Sequence, residues 1–228
     1  MAASRTAREP DPTTDERGRD PAAPSPDDFD ARRGRIRSLS APAIGTGGLR
    51  GAQGFLLFLF AFALRAAHAP AWWFGVVLGA AVAGTFIGDV IAPALRSRAR
   101  GEAIVFGSLV ASGLAATLAA TSPSLGTLAV LSGVSGAATE VGRLSFQSLM
   151  QARTPAGLQG RVYVRYEISF QVAWIFGAFI PAMLPIGLRA GTILLAIGYC
   201  VLAVLYVVVV VRGAASASPP TSSGSASP

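Results

Sequence analysis

Lysine is absent from this 228-residue sequence, and cysteine and histidine occur once each, as Cys200 and His68. One thiol can form no intrachain disulfide. With a single imidazole beside it, no Cys/His metal cluster and no Ser–His–Asp set can be assembled. Charge is also scarce: 14% of residues are charged, against about 25% in a typical soluble domain. The mean hydropathy is +0.52. These shortages exclude a disulfide scaffold, a collagen-like chain and a wholly disordered one.

What charge there is has one dominant sign. The formal net charge is +7 and the isoelectric point is near 10.9, values that elsewhere point to nucleic acid. Their placement argues otherwise. The segment 1–40 carries eight arginines and eight acids and is neutral, so the excess lies beyond it, among long apolar runs. Interleaved in that way, the arginines form no solvated face for phosphates, and no nucleic-acid partner is expected. Segment 1–40 is rich in Pro, Ala, Ser, Asp and Arg without apolar periodicity, and 213–228 is a small Ser/Ala/Pro stretch. Neither has apolar surface enough to offset its ordering entropy, so both are expected to be disordered tails. The first has no apolar core of the signal-peptide type.

Six apolar stretches fill 41–212, and they predict an all-α membrane protein with six transmembrane helices in one bundle. The first, Gly51–Leu64, would rise only about 21 Å as a helix against about 30 Å of hydrocarbon. It reaches full length if Ala41–Leu49 joins it and Arg50 snorkels or faces protein. The others are Trp72–Leu95, Ala103–Ala120, Leu125–Met150, Val162–Leu184 and Ala190–Val211. Arginines crowd the segment before the first span and the connections after the second and fourth, and Arg212 ends the sixth. The alternate connections hold Arg65 and Arg189 alone. The positive-inside tendency then places both termini on the cytoplasmic face of the cell membrane. The +7 is a topology signal.

Charges and hydroxyls inside such spans need a reason. Beyond the first tail the acids are Asp89, Glu102, Glu140 and Glu167, all toward the cytoplasmic side. They have two readings: interface residues with snorkelling partners, or a ring of ion pairs latching a gate. On the fourth span Ser132, Ser135, Thr139 and Arg143 share a stripe at helical spacing, and on the fifth Glu167, Gln171 and Trp174 do. Interhelical hydrogen bonding and the lining of an aqueous cavity explain such stripes equally well. Thr85 lies near mid-membrane on the second span, and Phe58 and Phe62 lie on the first. Gly75/Gly79, Gly84/Gly88 and Gly133/Gly136 mark places where backbones can approach. Pro181 and Pro185 should bend or end the fifth helix. No paired midplane carboxylates, histidine cluster or nucleophile–base set is present, so no enzyme activity and no cofactor or metal is expected.

The run Gly84-Thr-Phe-Ile-Gly88-Asp-Val-Ile-Ala-Pro93-Ala-Leu-Arg96-Ser-Arg98 resembles the helix and loop after the eighth span of major facilitator superfamily carriers. Gln147 to Pro181, with Pro155 and Gly160-Arg161-Val162, resembles the join of their tenth and eleventh spans. The likeness is to bacterial efflux-type members and covers about 38–212, the C-terminal six-helix half of such a carrier. In the family's loop motif the acid follows the first glycine by four residues and an arginine comes next. Here Asp89 follows Gly84 by five, and Val90 follows Asp89. The resemblance implies half of a secondary active transporter that exports a small amphipathic solute, drug-like or siderophore-like, through rocking against a second six-helix half or a second copy. It also implies that the fourth and fifth helices line the cavity while the third and sixth face lipid. The residues expected in the substrate cavity are Thr85, Ser135, Thr139, Gln171 and Trp174. Those expected in the cytoplasmic gate are Asp89, Arg96, Glu140, Arg143, Arg161 and Glu167. The alternative is a truncated, non-transporting membrane protein, inert or acting through helix packing alone.

Overall fold

Without water to bond to, an apolar segment in a bilayer must satisfy its own N–H and C=O groups, and the α-helix does so within one segment. The computed structural model describes residues 39–154 and 156–215. They form six helices: α1 (Ser40–Ala66), α2 (Ala71–Arg98), α3 (Gly101–Thr121), α4 (Leu125–Arg153), α5 (Gln159–Met183) and α6 (Leu188–Ala215). A 3-10 turn at Ala156–Leu158 links α4 to α5, and no strand occurs among the described residues. Most of the two expected tails, and Pro155, lie outside the described residues. α6 runs to Ala215, three residues into the expected C-terminal tail, where Ala214 and Ala215 favour helix.

Four helices, α1, α2, α3 and α6, are long and apolar enough to cross a membrane. α4 and α5 have the length, at 29 and 25 residues. Their hydroxyls and charges lower their hydropathy: Glu140, Arg143 and Arg153 on α4, and Arg161, Arg165 and Glu167 on α5. α1 takes in the whole of Ala41–Leu49 and passes through Arg50, so its 27 residues rise about 40 Å.

Local chemistry sets the ends. After α1, His68 turns left-handed (φ 52°), and Ala69 N–H reaches back to the Leu64 carbonyl at 3.0 Å. That bond and the 3.1 Å bond from His68 N–H to Arg65 O satisfy carbonyls the helix end leaves open. Ser124 caps α4: its N–H donates to Thr127 Oγ1 at 3.0 Å, and Thr127 N–H donates to Ser124 Oγ at 3.3 Å. Thr154 and Leu184 are extended because each precedes a proline, which disfavours helical backbone before it. Pro181 is accommodated inside α5 and Pro93 inside α2.

α1 and α4 meet at the centre of the bundle. α5 packs on α1 as α2 packs on α4, α6 packs on α1 as α3 packs on α4, and α3 and α6 pack on each other. The main helix packings thus map onto one another when α1–α3 exchange places with α4–α6, while the smaller contacts of α1 and α2 with α3 have no equal counterpart. The same symmetry recurs in atomic detail. Where α2 crosses α4, Gly84 lies on the carbonyl of Gly133 and Gly136 on that of Ala81. Where α5 crosses α1, Gly177 lies on the carbonyl of Gly51 and Gly54 on that of Trp174. A Cβ at Gly136 would stand 3.2 Å from Thr85 N, and one at Gly54 would stand 3.2 Å from Ala178 N. Each crossing therefore pairs two glycines three apart on the inner helix with one on the outer, and α2 adds Gly88 against the Ala137 carbonyl. Only hydrogen in place of a side chain lets the backbones come so close. Gly75 and Gly79 face open space and mark no crossing.

The core fills between α1, α3, α4 and α6, where Leu49, Leu59, Leu109, Leu128 and Leu131 are fully buried and Tyr199 almost so. A second cluster, Leu39, Phe146, Met150 and Phe170, ties the start of α1 to α4 and α5. In it the Phe146 ring meets Tyr166 at 5.0 Å and Phe170 at 5.2 Å, both edge-on.

Candidate functional site

A cleft of about 290 Å³ opens between α1, α2 and α4, with Trp174 of α5 completing its wall. Most of its lining is apolar: Leu56, Leu57 and Phe60 from α1, then Phe74, Val77, Leu78, Ala81 and Val82 from α2. The polar lining is Arg50, Gln53, Thr85, Ser132 and Ser135, and no acidic residue lines it. The α2–α4 glycine crossing positions the cleft, since Gly136 lies in its wall and Ala81 is the residue whose carbonyl Gly136 meets.

Three of the five residues expected in a substrate cavity meet here: Thr85, Ser135 and Trp174. Their hydroxyls are partly engaged. Thr85 Oγ1 donates to Ala81 O at 3.0 Å, within its own helix. Ser135 Oγ and Tyr199 Oη share a hydrogen bond at 3.4 Å, which ties α4 to α6 behind the cleft wall. Thr139 and Gln171 do not join them. Thr139 is buried in α4, off the cleft, with Oγ1 unpartnered. Gln171 is exposed on α5 and donates to Glu167 Oε1 at 3.2 Å, so the polar stripe of α5 is bonded to itself. The cavity wall comes from α1, α2 and α4 more than from α5. Phe58 stacks edge-on with Trp174 at 6.2 Å rather than lining the cleft.

Arg50, Gln53 and Ser132 line the cleft without having been among the residues expected there. Arg50 Nη1 donates to Gln53 Oε1 at 3.4 Å, while its Nε is buried without a partner. Ser132 Oγ, also on the wall, is buried and unpartnered too. A charge at membrane depth costs about 2.5–3.5 kcal/mol on insertion scales, so an arginine there without an acid is the costliest feature of the cleft. Its signal in the sequence was slight: two polar residues three apart, hence on one helix face, in an otherwise uncharged run.

The expected gate residues assemble in part. Glu140 and Arg143, one turn apart on α4, form a bidentate ion pair in which Arg143 Nε donates to both carboxylate oxygens at 3.0 and 3.1 Å. Asp89 of α2 interacts electrostatically with both, and Tyr163 of α5 with Arg143. Arg96 Nη1 reaches the Leu144 carbonyl at 3.4 Å, a further α2–α4 tie. Arg161 is exposed and Glu167 is bonded to Gln171, so neither enters this cluster. A second ion pair, Arg153 with Glu102, joins α4 to α3. Tyr206 Oη of α6 donates to the Glu102 carbonyl at 2.8 Å beside it.

No protein-family model matches the chain, and neither a curated protein nor a solved structure is significantly similar to it.

Proposed function

We propose that this six-helix bundle is one half of a secondary active transporter that carries a small amphipathic solute out across the cytoplasmic membrane, resembling the C-terminal half of a major facilitator superfamily carrier. All six helices cross the bilayer in this reading, with both chain ends cytoplasmic. The observation that carries it is the repeated glycine crossing: the main packings of α1–α3 and α4–α6 correspond, with Gly51, Gly54 and Gly177 matched to Gly133, Gly136 and Gly84. Three spans per triplet make the second enter the membrane from the opposite side. Carriers built from inverted repeats of this kind hold their substrate near the midplane, at the repeat interface. The mixed cleft lies beside the α1/α4 centre, as that architecture requires.

The mechanism follows from the parts. α2 and α5 expose broad apolar faces, Phe86, Val90, Ile175 and Phe176 among them, on which a second six-helix half or a second copy would rock. The Asp89–Glu140–Arg143 cluster and the Arg96 tie lie between the cleft and the arginine-rich ends, and they would close that side while the other opens. The test is solute accumulation in cells expressing the chain alone and with a matching six-helix half. Reduced accumulation of an amphipathic dye, lost in Glu140→Gln with the protein still inserted, is the expected result. Equal accumulation with and without correctly inserted protein, in both settings, refutes the transport reading.

A further inference from the structure

The geometry points to an amphipathic organic anion as the occupant of the cleft, its acid group held by Arg50. The inference rests on the reading of that cleft as a solute site and narrows its chemistry. Arg50 is a third of the way along α1, well inside the span, and its guanidinium has Gln53 as its side-chain partner at 3.4 Å, longer than a strong charge-assisted bond. Its Nε is shielded from solvent with nothing to donate to. The cleft lining holds no carboxylate, and the Glu140 and Glu102 ion pairs use other arginines, Arg143 and Arg153. A half-buried cation with no acid beside it in the cleft favours an anion that arrives from outside the chain.

Two more observations set the shape of that anion. Ser132 of α4 also lines the cleft, and its Oγ is buried there without a partner. The rest of the lining is hydrocarbon and aromatic, with Phe60, Phe74 and Trp174 prominent, and it suits an apolar body of a few carbon–carbon bonds or one ring. A cationic amphiphile would meet Arg50 with like charge and no compensating acid. A carboxylate, sulfonate or phosphate ester of modest size fits.

The experiment uses the full chain in nanodiscs of zwitterionic lipid, with Trp72 and Trp73 replaced by Phe so that emission reports Trp174. Decanoate, decanol and decylammonium are titrated as probes that differ only in the head group. Saturable change with decanoate at a concentration at least tenfold below that for decanol, and none with decylammonium, is expected. Arg50→Gln should remove the tenfold preference while leaving the decanol response in place, and Arg50→Lys should keep part of it. Circular dichroism and elution volume check that each variant is folded. Equal responses to the three probes, or an anion preference that survives Arg50→Gln, overturn the inference. Arg50-dependent retention of phosphatidylglycerol without a decanoate response would make the anion a lipid head group and likewise overturn it. Efflux separates the two readings: anion binding without efflux removes transport alone, and efflux of a cationic dye untouched by Arg50→Gln removes the anion alone.

Discussion

Gly84→Ala is the sharpest perturbation available, because it asks for one methyl where two backbones meet. A Cβ at Gly84 would overlap the Gly133 carbonyl oxygen and stand 2.7 Å from its carbon and 2.9 Å from its Cα. Carbon atoms prefer separations of about 3.5–4.0 Å, so α2 and α4 must part by roughly 1 Å. No side chain can swing aside. Neighbouring contacts would open too, since Gly88 and Gly136 sit on the Ala137 and Ala81 carbonyls of the same seam. Overpacking costs about 1–3 kcal/mol, and two rigid backbones put this case at the top of that range. Alanine returns about 1 kcal/mol of helix propensity, leaving a net loss of about 2 kcal/mol. Gly75→Ala and Gly79→Ala on the same helix are the controls: nothing lies within 4 Å of either, so they gain propensity alone. Unfolding in mixed micelles with increasing dodecyl sulfate, followed by far-UV circular dichroism, should separate Gly84→Ala from Gly75→Ala by about 3 kcal/mol. Gly177→Ala should match Gly84→Ala, since it meets the Gly51 backbone in the same way. If Gly84→Ala falls within about 0.5 kcal/mol of Gly75→Ala, the glycine crossing is not what joins these helices, and the repeat argument falls with it.

Two further outcomes follow from single sites. His68→Gly should raise the thermal midpoint by about 2–4 °C, because the left-handed backbone at φ 52° costs a side-chain-bearing residue about 1 kcal/mol and glycine almost nothing; His68→Ala, which keeps the Cβ, should give no such gain in the same melt. A double-mutant cycle over Glu140→Gln and Arg143→Gln should return a coupling of about 1 kcal/mol or more in the unfolding free energy, above the exposed-pair range because the Glu140 side chain is only 10% exposed; a coupling near zero would mean the pair does not hold α4.

The sequence carried the helices more fully than the site. Apart from the start of the first span, which lies at Ser40 rather than Gly51, span limits fell out of hydropathy and proline placement to within a few residues, since Pro123, Pro155 and Pro185 interrupt the backbone pattern wherever they stand. The α4 stripe was readable from 3.6-residue spacing, but its purpose was not. Ser135 bonds Tyr199 of α6, 64 positions away, while Ser132 is buried unpartnered at the cleft wall and Thr139 is enclosed elsewhere. Nothing local distinguishes the three hydroxyls. Gln171 and Glu167 lay on one face with Trp174, yet the first two satisfy each other and only Trp174 reaches the cleft. For the glycines, spacing marked Gly75/Gly79 and Gly84/Gly88 alike, and only the neighbour across the seam tells them apart.

By itself the sequence pointed to an all-helical membrane protein with six spans, because hydropathy and backbone satisfaction are properties of each segment alone; the described residues form six helices, four of them apolar enough for a membrane. The tertiary structure decided which polar groups share a space. Arg50 read as a residue that snorkels or faces protein, and only the packed helices made it the cation of an acid-free cleft, since the other walls come from α2, α4 and α5. Charge is written in the residue; what a charge must be paired with is written in the helices packed around it.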